Sequence, residues 1–222
     1  MMILTKFRKA PVRAALVGAL SLALPASAAF TLAATPAVAA SPDKLDTAVS
    51  ALRAISTMTA DFVQTDAKGQ SLSGKMTLKR PGKIRFEYAK SADMLIVSNG
   101  SSLYLIDYAV NQVQRWPIKS SPLGALLDPN RDVKKYGKLM PTSTNDVIGV
   151  EVRDPKHPEY GVITLVFSRN ASAPGGYELV SWVALDSQNN RTTVRLKNQR
   201  YGAAISDSTF KFKDPRRSGR RP

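Results

Sequence analysis

Two neighbouring segments alternate apolar and polar residues with a period of two, and the turn dipeptide Pro81-Gly82 joins them. This period is typical of β-strands that bury one face, because successive side chains point to opposite sides of a strand. The apolar side carries Leu72, Met76, Leu78 and Arg80 in the first segment, and Ile84, Phe86 and Tyr88 in the second. The sequence therefore predicts a hairpin with an arginine in line with its buried face.

Arg80 constrains what must lie against that face. A guanidinium keeps its proton, so on an apolar surface it requires carbonyl or carboxylate partners. Residues 122–127 form a short apolar segment that ends at Asp128-Pro129 and is predicted to be a helix. The last carbonyls of a helix lack partners within it. We therefore expect Arg80 to bind those carbonyls and to hold this helix over the sheet.

Strand-like alternation continues along most of the chain beyond residue 60. We predict strands at about 60–66, 71–80, 83–89, 93–98, 101–107, 111–117, 146–153, 161–168, 177–186, 191–200 and 208–212. The Asn99-Gly100 pair and the Ser187-Gln188-Asn189-Asn190 run mark turns between them. Together these segments predict a mainly β domain, an antiparallel meander of about eleven strands.

Few segments have helical spacing. Apolar residues recur at Leu45, Ala48, Val49, Leu52 and Ile55, and Ser41 before Pro42 predicts the start of that helix. Residues 133–139 are predicted to form another short helix. A large antiparallel sheet closes, splits into two packed sheets, or keeps a concave face that helices cover. The first helix and the central insert are able to provide such a cover.

The first 40 residues have the pattern of a cleaved export signal. A basic head with Lys6, Arg8, Lys9 and Arg13 precedes an apolar stretch at 14–34, and small residues follow it. This predicts cleavage after Ala39 or Ala40. The alternative is a transmembrane anchor, because about 20 apolar residues can span a bilayer. Cleavage leaves one domain at 41–215 and a basic, flexible tail at 216–222.

Charge and cysteine content limit the classes of partner. The net charge is +15, and the chain has no cysteine, so disulfides do not stabilise it and it is not itself acylated on a cysteine. Such basicity usually indicates a nucleic-acid partner, but export separates the protein from nucleic acid, and none is expected. The remaining anionic partners are phospholipid head groups and acidic patches on membrane proteins.

The chain offers little for catalysis. With one histidine, His157, and no cysteine, zinc sites and Cys-His nucleophile pairs are excluded. The sequence also lacks a Gly-x-Ser-x-Gly elbow and a phosphate-binding glycine loop. The carboxylates Asp128, Asp132, Asp146 and Asp154 fall at turns and strand ends, where capping is their usual role. We therefore expect a binding protein and not an enzyme, without a metal or cofactor.

Several motifs occur in a set order between residues 45 and 215. They are Phe62-Val63-Gln64, Arg80-Pro81-Gly82-Lys83, Arg85-Phe86-Glu87-Tyr88, Asn99-Gly100-Ser101, the 122–127 segment and Phe210-Lys211-Phe212. In this order they resemble the periplasmic outer-membrane lipoprotein carrier family, LolA. The resemblance implies an open half-barrel whose short helices form a lid over an apolar cavity.

Alternation within that half-barrel selects the residues expected to line the cavity. They are Met76, Leu78, Ile84, Phe86, Met94, Ile96, Leu103, Leu105 and Trp182 from the strands, with Val180 as a further inward residue, and Leu123, Leu126 and Leu127 from the lid. Arg80 is the expected latch of the lid. The resemblance implies that these side chains contact lipid.

The resemblance also implies a function, a location and partners. A carrier of this family is expected in the periplasm, where it binds the acyl chains of outer-membrane lipoproteins released from the inner membrane and delivers them to an outer-membrane acceptor. Its partners would be the acylated lipoprotein cargo, an inner-membrane ATP-driven release complex and an outer-membrane lipoprotein receptor. A transferable carrier is most simply a monomer.

Two other functions stay open on the residues alone. The same half-barrel is able to carry a free lipid or another hydrophobic ligand in place of an acylated protein. The inward residues also suit an ordinary dry core, in which case the protein is a non-catalytic sensor or adhesion module. Bound material and the uptake of apolar probes distinguish the three.

Overall fold

The computed structural model of the protein describes residues 43–118, 127 and 134–216. The predicted signal at 1–40, most of the predicted helix at 122–127 and residues 217–222 of the tail lie outside these ranges. None of the helices within them has the length and hydropathy that crossing a bilayer requires.

One α-helix, α1 (Lys44–Ala54), opens the described chain. Asp43 caps it, and its carboxylate accepts a hydrogen bond from Leu45 N at 3.1 Å. The prediction of a helix capped by Ser41 and beginning at Pro42 was therefore wrong, because Asp43 is an equally favoured cap two residues later. The buried face of the helix carries Ala48, Val49, Ala51 and Leu52.

Within the described ranges, the main element is one antiparallel sheet of eleven strands. The strands are β1 (Thr57–Thr65), β2 (Ser71–Lys79), β3 (Lys83–Tyr88), β4 (Met94–Ser98), β5 (Ser102–Asp107), β6 (Gln112–Pro117), β7 (Gly137–Met140), β8 (Val147–Arg153), β9 (Val162–Arg169), β10 (Tyr177–Leu185) and β11 (Arg191–Tyr201). Their order is β6-β5-β4-β3-β2-β1-β11-β10-β9-β8-β7, so the described strands leave the sheet open at β6 and β7. The predicted mainly β, open antiparallel architecture is confirmed.

Two segments differ from the predicted elements. Residues 208–212 do not form a strand, because Asp207–Phe210 is a 3₁₀ turn, capped by the Ser206 hydroxyl. Residues 134–136 form a turn and residues 137–140 form β7, where the sequence predicted a helix. Four residues are too few for alternation to distinguish a strand from one helical turn.

Helix α1 packs on one half of the sheet, and we call the side it covers the inner face. Its buried side chains contact Ile148 and Val150 of β8, Phe167 of β9 and Tyr177 of β10. Gly175, just before β10, has a φ of 74°, and a Cβ there would lie 2.8 Å from the Cα of Ala51. The helix therefore fits closely against β8–β10. A second buried cluster lies on β1, β2, β3 and β11.

The C-terminal segment, residues 203–216, packs on the opposite, outer face. Phe210 is buried against Leu95 and Val97 of β4 and Ile106 of β5. The ring of Phe212 lies 5.1 Å from that of Tyr104. These contacts give the strands nearest the β6 edge an apolar core of their own on the outer face.

Basic side chains on the outer face hold the same segment. Lys79 Nζ donates to Ile205 O at 2.8 Å and lies 2.7 Å from Asp207 Oδ1. Lys83 Nζ lies 2.8 Å from Asp207 Oδ2. Arg85 Nη1 donates to the carbonyls of Thr209 and Lys211 at 3.3 Å. The alternate residues of β2 and β3 thus anchor the C-terminal segment, while their neighbours face inward.

Replacing Asp207 with asparagine is expected to remove a pH-dependent part of the stability. Hydrogen bonds from Lys79 and Lys83 lower the pKa of Asp207 from 3.8 to about 2. A lowered pKa in the folded state stabilises the protein above the unfolded pKa, and this contribution disappears as the pH falls from about 4 to about 2. The difference in free energy of unfolding between the two proteins, measured by urea titration, should therefore shrink over that range.

The control for this prediction is the same substitution in a Lys79→Met, Lys83→Met background. Without the two ammonium groups, Asp207→Asn should change stability to a similar extent at pH 7 and pH 3. A wild-type difference that persists in full at pH 2 would show that Asp207 acts through something other than its charge.

Candidate functional site

A cavity of about 320 Å³ lies on the inner face. Its lining among the described residues is mostly apolar and comes from α1, eight strands and residue 127: Leu52, Ile55, Met58, Met76, Leu78, Ile84, Phe86, Ile96, Leu103, Leu127, Ile163, Leu165, Leu179, Trp182, Ala184 and Val194. The polar lining residues are Gln64, Arg80, Tyr88 and Thr192. Cavities of this size and character accommodate apolar ligands.

Most of the predicted cavity residues lie in this lining. Met76, Leu78, Ile84, Phe86, Ile96, Leu103, Leu127, Trp182 and the predicted latch, Arg80, all contribute to it. Leu123 and Leu126 lie outside the described residues. Whether these side chains contact lipid stays a prediction.

Met94 and Leu105 do not line the cavity. Both are half-buried, and Met94 packs against the neighbouring core. Leu105 pairs with Ile96, and Met94 pairs with Asp107 at the far end of the β4–β5 hairpin. Alternation assigned their face, but it carries no information on how far the cavity extends along a strand.

A β-bulge corrects the assignment in β10. Leu179 pairs with Phe167 and Ser181 with Val166, so Val180 is the extra residue. The bulge shifts the alternation by one, and the lining therefore contains Leu179 and Trp182 and not Val180. The prediction for Val180 was wrong for this reason.

The aromatic side chains form a connected wall beside the cavity. The Phe86 ring lies 5.8 Å from that of Trp182 on β10 and 5.3 Å from that of Phe62 on β1. The Phe62 ring lies 5.0 Å from that of Tyr88, edge to face. Phe62 itself is buried behind Phe86 and Tyr88 and does not line the cavity. Edge-to-face contacts of this kind fix ring positions.

Arg80 lies at one end of the cavity, directly after β2. Its backbone N–H donates to Ser56 O at 2.8 Å. It is the only cationic residue among the described residues of the lining. Its side chain is half-buried, so its charge lies where water has limited access. A cation in this position disfavours hydrocarbon close to it.

The turn after Arg80 holds the one described residue of the predicted lid. Gly82 N donates to Leu127 O at 2.9 Å, and Leu127 is buried. The Ser98 hydroxyl donates to Gly82 O at 2.5 Å and accepts a hydrogen bond from Gly100 N at 3.1 Å. Gly82 has a φ of 72°, and a Cβ there would lie 2.9 Å from the Cα of Gly100. The β2–β3 and β4–β5 turns thus form a joint support for Leu127.

Gln64 and Tyr88 form a polar pair at the other end. The Tyr88 hydroxyl donates to Gln64 Oε1 at 2.6 Å. Burial raises the pKa of Tyr88 to about 12, so the phenol keeps its proton and remains a donor at neutral pH. Thr192 lies at the same end, at the start of β11. The sequence prediction placed Tyr88 on the inner face and omitted Gln64, although alternation along β1 includes it.

The described residues give no support for a catalytic or metal site. They contain no group of three or more histidine, cysteine, aspartate or glutamate residues arranged to hold a metal. His157 lies between β8 and β9, and its Nδ1 is 2.9 Å from Glu159 Oε1, outside the cavity lining. The Asp154 carboxylate accepts a hydrogen bond from Lys156 N at 3.0 Å in the same loop. These two contacts stabilise the turn between β8 and β9.

Comparison with protein families gives a match over most of the chain. The family model described as "Outer membrane lipoprotein carrier protein LolA" matches residues 53–213. The outer-membrane lipoprotein carrier protein of Chromobacterium violaceum is 31% identical over 192 residues, which cover 82% of this chain and 88% of the relative. The protein of the same description from Methylobacillus flagellatus is 30% identical over 182 residues, covering 78% and 86%.

Similarity to solved structures is weaker. A LolA superfamily protein from Nitrosomonas europaea aligns with a TM-score of 0.40 and 9% identity, covering 74% of this chain and 96% of that chain. A chain of the Pseudomonas aeruginosa MucA/MucB complex aligns with a TM-score of 0.44 and 13% identity, covering 78% and 61%.

Proposed function

The chain belongs to the LolA family of outer-membrane lipoprotein carriers, and we propose on this basis that it is a periplasmic chaperone for lipoproteins. It binds the acyl chains of lipoproteins that leave the inner membrane and delivers them to an acceptor at the outer membrane. Its donor is an inner-membrane ATP-driven release complex, and its acceptor is an outer-membrane lipoprotein receptor. The carrier itself acts as a monomer without a cofactor.

The observation that carries this proposal is the apolar cavity on the inner face. Each methylene group that leaves water contributes about 0.8 kcal/mol, and a lining with only four polar residues among those described offers acyl chains a surface that competes with a membrane. The predicted export signal supports a periplasmic location, because it places the mature chain in the aqueous space that acylated proteins must cross.

Release sets an upper limit on how much of the cargo the cavity should bury. Full burial of some 40 methylenes, as in two or three chains, would contribute roughly 30 kcal/mol. Noncovalent complexes reach only about 20 kcal/mol, and cargo held so tightly would not be transferred. A cavity of about 320 Å³ that takes part of the chains, with a cation at one end, meets this requirement better than a larger apolar one.

Isolation of the loaded protein tests the proposal. The mature chain, residues 41–222, would be purified from its native periplasm and examined by intact mass spectrometry before and after detergent extraction. One-to-one complexes with acylated lipoproteins are expected. Free lipid alone would replace the proposed cargo with a lipid ligand. An empty protein that also excludes an apolar fluorescent probe would show that the cavity is a dry core.

Filling the cavity should weaken binding by more than tenfold. Ala184 lines it from β10, and an Ala184→Trp substitution places an indole in the space that an acyl chain would take. Excluding even two methylenes lowers affinity more than tenfold at about 0.8 kcal/mol each. The measurement is titration with an apolar fluorescent probe, and the control is Ser187→Trp in the exposed turn after β10. Equal binding by both variants would place the ligand elsewhere.

A further inference from the structure

The cavity is polar at its two ends and apolar between them. At one end, Arg80 lies beside Ser56, since its backbone N–H donates to Ser56 O at 2.8 Å. Gln64 lies at the other end. It follows Ser56 by eight residues, which span about 26 Å in an extended strand. The lining residue of β1 between them is Met58. A ligand lying along this cavity would therefore meet a different chemical group at each of its ends.

The carboxamide of Gln64 has a defined orientation. Its oxygen accepts the hydrogen bond of Tyr88 at 2.6 Å, and Tyr88 is only 6% exposed. With the oxygen engaged, the hydrogen-bonding capacity that remains is that of the amide N–H groups. Nε2 makes no hydrogen bond to any described residue. Two donors are therefore presented within a mostly apolar lining.

A second polar group lies beside this carboxamide. Gln64 is opposite Val194 of β11, and Thr192 is two residues from Val194 on the same face, where it lines the cavity. Diagonal neighbours on adjacent strands are about 7–8 Å apart, so one acceptor placed between them is within reach of the Gln64 amide and the Thr192 hydroxyl. Arg80 is too distant to contribute its charge there.

These groups suit a carbonyl oxygen. An ester or amide carbonyl accepts hydrogen bonds and carries no charge, whereas the carboxylate of a free fatty acid would require a cation at this end of the cavity. Plain hydrocarbon would leave the Gln64 amide unsatisfied. We infer that Gln64, positioned by Tyr88 and assisted by Thr192, recognises the ester or amide carbonyl at the head of an acyl chain, whose hydrocarbon then extends toward Arg80. This rests on the proposed function, the binding of acyl chains in this cavity.

A pair of lipids that differ only in that carbonyl tests the inference. A short-chain diacyl ester phospholipid and its dialkyl ether analogue, with the same head group and chain length, would be used below their micelle concentrations to displace an apolar fluorescent probe. One hydrogen bond contributes about a fivefold difference in affinity. The wild-type protein should therefore bind the ester about fivefold more tightly than the ether.

Two variants and a control locate the effect. Gln64→Leu should bring the ester-to-ether affinity ratio close to one, because leucine fills similar space without a donor. Tyr88→Phe should lower the ratio in part, because it frees the carboxamide oxygen to turn into the cavity. Gln70→Leu is the matched control, since Gln70 is exposed in the adjoining turn and does not line the cavity. It should keep the wild-type ratio.

The outcomes separate this inference from the function on which it rests. If neither lipid displaces the probe from the wild-type protein, the cavity does not bind acyl chains and the proposed function fails. If it binds ester and ether equally, the cavity binds chains but the carbonyl is not recognised. If Gln64→Leu keeps the full preference for the ester, the carbonyl is recognised by another residue. Each of the last two results overturns only the inference and leaves the proposed function standing.

Discussion

Replacing Arg80 with leucine is expected to slow the release of bound acyl chains by roughly tenfold to a hundredfold, while the protein stays folded. Hydrogen bonds to a charged group contribute about 1.5–3 kcal/mol each, and hydrocarbon beside the half-buried guanidinium cannot form them. Arg80 therefore favours the empty state. Leucine at this position extends the apolar lining by one residue and favours the loaded state.

The described contact of the predicted lid with the turn after Arg80 is made by a backbone group. Two residues after Arg80, the backbone N–H of Gly82 binds the carbonyl of Leu127 at 2.9 Å. Because a backbone group makes this bond, Arg80→Leu leaves it in place. The variant therefore separates the charge at the cavity end from the attachment of Leu127.

Two rates would be measured: the rate at which an acylated lipoprotein passes from the loaded carrier to the outer-membrane receptor, and the dissociation rate of an apolar probe. Arg195→Leu is the control, since Arg195 is exposed on the outer face of β11 and its loss changes net charge equally. Thermal melting would verify that both variants fold. Transfer at the wild-type rate by a folded Arg80→Leu protein would contradict this role.

The sequence predicted the wall of the cavity best where two strands pair without interruption. In β2 and β3, Met76 pairs with Phe86 and Leu78 with Ile84, so the alternation of each strand supports that of the other. Both strands are also anchored on the outer face by lysine and arginine residues, which makes the polar side unambiguous. Here the period of two is sufficient to assign the face of every residue.

The assignment failed where pairing is interrupted. The bulge at Val180 depends on how β10 fits between β9 and β11, which alternation in β10 alone does not contain. A second irregularity lies between Thr59 and Asp61 of β1, opposite Asn198, which has a φ of 55°. Asparagine within a strand pattern is a signal for such a position, whereas Val180 offers none.

The C-terminal segment shows a different limit. Phe210-Lys211-Phe212 alternates like a strand, but Asp207–Phe210 is a 3₁₀ turn, and Phe210 and Phe212 pack on the outer face of β4 and β5. The segment follows the positions of Lys79, Lys83 and Arg85, which bind it, and these tertiary contacts override the local pattern. Alternation places both Gln64 and Tyr88 on the inner face, but it does not predict the hydrogen bond between them, because that contact depends on the packing of β1, β2 and β3 together.

Replacing Phe62 with alanine is expected to lower the free energy of unfolding by about 3–5 kcal/mol, the usual cost of removing a buried phenylalanine ring. Phe62 is 1% exposed, and its ring lies against Gly74, where an added Cβ would be 2.7 Å from Phe62 Cε1. Glycine at 74 leaves the space that the ring occupies. The void left by alanine cannot be filled without moving β2.

Val63→Ala is the matched control, because Val63 is the next residue of β1 and points to the outer face, where it is 37% exposed. Surface substitutions usually change stability by about 0.5 kcal/mol or less. Urea titration of both variants measures the difference. If Val63→Ala destabilises the protein as strongly as Phe62→Ala, the register of β1 is wrong, and with it the inward position of Gln64.

Phe62→Ala also tests the aromatic wall of the cavity. Phe62 holds Phe86 and Tyr88 by edge-to-face contacts, so its loss should let both rings move. We expect this to weaken the preference for an ester carbonyl, the result also expected for Tyr88→Phe. If Phe62→Ala proves too unstable to purify, Phe62→Leu removes fewer buried atoms and should cost less stability than alanine. An ester preference unchanged in Phe62→Leu, with stability lowered, would show that Phe62 supports the core and not the carbonyl site.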